Sequence, residues 1–106
     1  MISATHEPTQ DSERERCVRE TLGPVLVGDL RPHVARGVVL RCAGQLDLVE
    51  VGLALARDDV SALGDWLAAG ALWRLETEEE LALPDGEVWW SVVVRPWVLA
   101  QPRTAS

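Results

Sequence analysis

A chain of 106 residues holds one small domain at most, and with 47% apolar residues, led by fifteen Leu, fourteen Val and twelve Ala, it can build a core; global disorder is excluded. The formal charge of -7, with all ten cations Arg, opposes polyphosphate, because nucleic-acid affinity comes largely from cations that displace condensed counterions, so no nucleic-acid partner is expected. No apolar run approaches the roughly 20 residues that span a bilayer, and residues 1–16 lack the basic-then-apolar order of a signal peptide, so no membrane association and a cytoplasmic address are expected.

Residues 1–11 offer little to bury and predict an N-terminal tail, 12–101 a single domain, and 102–106 a C-terminal tail. Ser12 followed by Glu15 fits a capping box opening a helix over about 13–22, with Cys17, Val18 and Leu22 as its apolar stripe and Gly23-Pro24 as its stop. Asp29 is positioned to cap a short second helix with Pro32 in its first turn, Leu30 and Val34 toward the core, and Gly37 at its end. His33 beside that stripe is a boundary histidine before it is an acid, base or ligand.

Val38 to Cys42 is a β-branched run, Ala43-Gly44-Gln45 turns, and 48–57 alternates. Val49, Val51, Leu53 and Leu55 share one face, and Glu50, Gly52, Ala54 and Ala56 the other, which suggests a hairpin. Helical spacing also fits through Leu48, Val51 and Leu55. The small residues Gly52, Ala54 and Ala56 leave room for a close approach by another element. Asp58-Asp59 then opens the best helix of the chain, with the stripe Val60, Leu63 and Leu67 flanked by Trp66 and an exit at Gly70. Ala71 to Leu75 is a short strand, Glu76 to Leu83 a helical turn or acidic loop, and Pro84-Asp85-Gly86 a turn.

Val88 to Val94 is the strongest strand, continued by Trp97 to Ala100 beyond a bend or edge at Pro96. Read as one run, Val88, Trp90, Val92, Val94 and Val98 take one face, and Trp89, Val93 and Trp97 the other, with Ser91 and Arg95 between them. Both faces are largely apolar, whereas a solvated antiparallel sheet shows polar residues on its outer side. Either the N-terminal helices cover the second face, or an interface of Trp89, Val93, Arg95 and Trp97 meets a protein partner or a second copy. The element order predicts an α+β fold, a small two-layer domain with an antiparallel or mixed sheet of about four strands and two to three helices.

Chemistry is sparse. No nucleophile elbow occurs, and only His6 and His33 could act as a base. The glycines are scattered rather than gathered into a phosphate-binding loop. Cys17 and Cys42 form no CxxC pair and are expected as reduced thiols. The oxygen ligands nearest in sequence are Asp47, Glu50, Asp58 and Asp59. Since Asp58 and Asp59 open a helix, capping or solvated carboxylates are expected there, with no metal and no cofactor.

The segments Ala35-Arg36-Gly37-Val38-Val39, Leu46 to Val51, Asp58-Asp59 with Trp66-Leu67 and Gly70, and Val92 to Gln101 resemble the bacterial domain-of-unknown-function family 2288 in order and spacing from about residue 20 to 101. The short helix with Leu30, His33 and Val34 departs from that family, whose members carry aromatic residues there. The resemblance implies a small cytoplasmic bacterial protein and carries no reaction, cofactor or catalytic residue. The function expected is a non-enzymatic protein-binding or regulatory module. The alternatives are a small-molecule or metal-dependent enzyme using the Asp47 and Glu50 carboxylates, and an acidic antitoxin or immunity protein.

Overall fold

The computed structural model of the protein describes residues 9–103. Its elements in chain order are α1 (Thr9–Glu20), β1 (Gly23–Leu26), a 3-10 turn (Val27–Leu30), α2 (Arg31–Ala35), β2 (Val39–Cys42), α3 (Leu48–Ala56), α4 (Val60–Ala68), β3 (Leu72–Arg74), α5 (Thr77–Leu81), β4 (Val88–Val94) and β5 (Trp97–Pro102). This is the expected α+β fold with a mixed sheet. The sheet has five strands rather than about four, in the order β1-β4-β5-β2-β3, with β2 against β5 as its parallel pair, and the described residues form five α-helices rather than two to three, because α3 replaces a strand and α5 is a short helix. Among the described residues no helix is long and apolar enough to cross a membrane.

The largest correction is 48–57, which is helix α3 and not the second strand of a hairpin. Asp47 decides it locally, since its carboxylate accepts the Val49 N–H at 2.9 Å and the Glu50 N–H at 3.4 Å, the pattern of an N-cap. The periodicity is uninformative because the helix is apolar almost all round, with Leu48, Val49, Val51, Gly52 and Ala54 all buried. The expected close approach exists, made by a helix: a Cβ on Gly52 would lie 2.8 Å from Val18 Cγ1 of α1 and 3.3 Å from Val92 Cγ2 of β4. Strand β2 pairs instead with β3 (Leu40↔Arg74, Cys42↔Leu72) and β5 (Val39↔Val98).

Smaller corrections concern the caps. Helix α1 begins at Thr9, which places Ser12 inside it, and Glu15 pairs with Arg19 one turn on at 2.8 Å. Asp29 lies within the 3-10 turn, and α2 starts from Leu30 without a side-chain cap, although Pro32 and Gly37 sit in its first turn and at its end as expected. The Arg95–Pro96 peptide is cis, and these residues form a hairpin turn, so β5 folds back antiparallel on β4 with Val94 opposite Trp97. Strand-opposite residues share a face, which moves Trp97 to the side of Val94 and away from Trp89.

Both faces of the sheet carry a core. On one, Cys42, Leu72, Val92 and Leu99 meet Val18 of α1 and Leu48, Val49 and Val51 of α3, with Leu63 and Trp66 of α4 packed against them. On the other, Val39, Trp89 and Ala100 meet Val27, Leu30, Val34 and Leu75. The second face is therefore closed from within by the 3-10 turn, α2 and the segments around α5.

That closure is strongly polar at its margin. The Arg41 guanidinium carbon lies 4.8 Å from the Trp89 ring centroid and 5.3 Å from that of Trp73, and Nη1 donates to Glu79 at 2.7 Å. Trp73 Nε1 donates to the same carboxylate at 3.2 Å. Arg31 bonds both Asp85 and the fully buried Glu80, the latter at 3.1 Å, and these two carboxylates raise its pKa further above the ordinary guanidinium value. The acidic stretch around Glu78 to Glu80 is thus a docking segment for the chain's own arginines.

Candidate functional site

The four carboxylates do not form one site. Asp47 caps α3 as described, Glu50 is exposed on its first turn, and Asp59 caps α4 by accepting the Ala62 N–H at 3.2 Å. Asp58 is the joint between the two helices, with φ of 55°. Among the described residues no three His, Cys, Asp or Glu side chains gather as metal ligands. Asp47→Ala and Asp59→Ala are each expected to lower stability by about 1 kcal/mol, the usual loss for a capping side chain. Asp58→Gly is expected to be neutral or stabilising, because glycine accepts the left-handed region without a Cβ penalty. Urea midpoints of the three variants check both statements.

The histidines and thiols carry no assembled chemistry either. His33 Nδ1 lies 2.6 Å from Arg36 Nη2 at an exposed helix end, and His6 lies outside the described residues. Cys17 is exposed and Cys42 buried, both free. Burial pushes the Cys42 thiol up to about 12, because the thiolate is disfavoured away from water. A thiol reagent is expected to modify Cys17 alone in the folded protein and both cysteines after unfolding. Since the folded value lies above the unfolded one, this group's share of stability is intact below the ordinary thiol range and is lost as pH rises toward 12.

Of the expected interface residues, Trp89 is removed from the surface: it is fully buried in the second core, and its Nε1 donates to Glu87 at 3.1 Å. Val93 stays exposed at the end of β4, where its N–H donates to Thr21 Oγ1 at 2.9 Å, and Arg95 is exposed in the hairpin turn. Trp97 is half-buried on the opposite face and borders a groove of about 440 Å³ together with Leu40, Leu55, Leu63, Leu67, Leu72, Arg74 and Glu76.

This groove is strongly apolar. Six of its walls are Leu or Trp, and its two charges, Arg74 and Glu76, have opposite sign. The cavity between α1 and β4 is more mixed, with Val18, Ala56, Val93 and Val94 beside Glu13, Arg14, Cys17 and Thr21. The helix beside the groove is incompletely covered. Helix α4 has the clearest apolar stripe in the sequence, yet none of its residues is buried, and Val60 and Leu67 remain 77% and 53% exposed. An amphipathic helix ordinarily buries that stripe, so the apolar face of α4 has only part of its cover within the chain.

The sheet edge at the groove is also open. Ala43 N–H to Ala71 C=O at 2.8 Å and Leu75 N–H to Val39 C=O at 2.9 Å fix which residues of β3 turn toward β2: Ala71, Trp73 and Leu75. Leu72 and Arg74 alternate with them, so their backbone groups point away from the sheet. The other edge differs. Val27 N–H to Glu87 C=O at 2.9 Å sets the register of β1 on β4, which turns Pro24 and Leu26 outward, and Pro24 has no N–H to offer. The one outward-facing proline could be noticed in the sequence; the register that makes it outward could not.

A family model described as "Protein of unknown function (DUF2288)" matches residues 15–102. The NMR solution structure of PA1075 from Pseudomonas aeruginosa is similar to this chain with a TM-score of 0.75 and 29% identity, over 99% of this chain and 95% of that one. No curated protein matches the sequence.

Proposed function

Because the chain belongs to the DUF2288 family, whose description assigns no function, we propose its role from its own surface: a non-enzymatic binding module that receives an apolar polypeptide segment in the groove between α4 and β3. The observation that carries this reading is α4, an amphipathic helix without one buried residue, set beside a Leu- and Trp-lined recess. Apolar recesses with a few oppositely charged rim groups suit hydrophobic anchors, whose burial supplies most of the affinity in such contacts. The carboxylates that would support an enzyme are occupied as helix caps or stand exposed, so no competing reaction is argued from them.

Selection of short extended peptides on the immobilised protein, followed by calorimetry and chemical-shift mapping, tests the reading. Selected binders are expected to perturb Leu63, Leu67 and the Trp97 indole, and to lose affinity on Leu63→Asp while keeping it on Trp90→Ala at the far end of the sheet. Binders that map instead to Trp90 and Asp47, or unaltered binding by Leu63→Asp, would overturn it.

A further inference from the structure

Resting on that reading, we infer that the occupant of the α4–β3 margin is a second copy of this chain, joined by antiparallel pairing of the two β3 strands. Three observations converge on it. Leu72 and Arg74 hold outward backbone donors and acceptors, whereas the opposite edge is blunted by Pro24. A two-fold axis through Trp73 sets Leu72 against Arg74 of the second copy and the reverse. These are the residues whose polar groups point outward, and each such pair exchanges both of its hydrogen bonds. That axis stands perpendicular to the sheet and keeps faces together, so the two α4 helices come to the same side of a continuous sheet, where Val60 and Leu67 are the apolar residues left uncovered.

The register also avoids a clash of charge, since Arg74 meets Leu72 rather than the other Arg74. A shift by one residue pair would place the two arginines opposite each other, where like charges repel. Strands of three residues bury little by themselves, and a stable interface needs on the order of 1,200 Å² in total, so the apolar faces of α4 must supply most of the contact. The extended sheet and the flanking helices therefore act as one surface.

Sedimentation of the full chain over a wide concentration range decides the matter. The wild type is expected to be a dimer. Arg74→Pro, which deletes an outward N–H and leaves the pairing of Ala71, Trp73 and Leu75 with β2 intact, is expected to weaken it more than about tenfold while remaining folded by circular dichroism. Pro24→Ala, on the other edge, is expected to change nothing. Should Arg74→Pro fail to fold, Leu67→Glu at an exposed site of α4 serves in its place and is expected to give a folded monomer. A wild type that stays monomeric, or a dimer untouched by both variants, overturns the inference. In the monomeric case, peptides still captured at Leu63 and Trp97 leave the binding-module reading standing, and their absence removes both.

Discussion

Trp89→Ala is expected to lower stability by about 3–5 kcal/mol, the range for truncating a large buried aromatic, against a total of about 5–15 kcal/mol for a domain of this kind. The ring is fully buried among Val27, Leu30, Val34, Val39, Leu75 and Ala100, so its removal opens a cavity at the centre of the second core. It also uncovers the Arg41 guanidinium, which lies over the ring, and deprives Glu87 of an indole donor. Trp90→Ala, at a side chain 38% exposed on the other face, is expected to cost far less. Urea denaturation of the two variants separates them. A Trp89→Ala protein with a nearly unchanged midpoint would return that ring to the surface.

Gly52→Val is expected to destabilise by about 1–3 kcal/mol through overpacking, and by more than either cap deletion. The first added carbon already meets Val18 Cγ1 at 2.8 Å and Val92 Cγ2 at 3.3 Å, and neither neighbour can withdraw without moving α1 or β4. A Cβ would raise helix propensity by up to about 1 kcal/mol, so Gly52→Ala measures the balance of the two terms, and the two further methyls of valine tip it toward strain. Loss of α1 from the fold, seen as increased protease sensitivity near Val18, should accompany the lower midpoint. A valine tolerated without loss would show that α1 does not seat on α3 at this glycine.

The elements legible from sequence were those with decisive local signals. The stripe of α4 with Asp59 before it, the β-branched β2, and the valine-rich β4 all lie where their patterns place them. Helix α3 was ambiguous for a physical reason: a nine-residue element buried between α1, α4 and the sheet has no polar face to set its period, and only the Asp47 cap distinguishes it. The β4–β5 hairpin was hidden in a continuous apolar run, which assigned Trp97 to the wrong side and joined it to Trp89 in one interface. The apolar residues on both faces of β4 are legible in the sequence, and the cover on the Trp89 face comes from the 3-10 turn and α2 together with Leu75 and Leu83, the N-terminal half of the chain contributing Val27, Leu30 and Val34. The open edge of β3 depends on hydrogen-bond register between segments about thirty residues apart, which no local pattern encodes.

Amide hydrogen exchange, followed residue by residue at low and high protein concentration, tests most directly whether the β3 margin is where this chain meets its partner. The Leu72 and Arg74 amides are expected to exchange freely when dilute and to become protected as concentration rises, while Leu26 on the proline-blunted β1 edge keeps its rate. Equal exchange of Leu72 and Arg74 at every concentration, or protection arising at Leu26 instead, would contradict it.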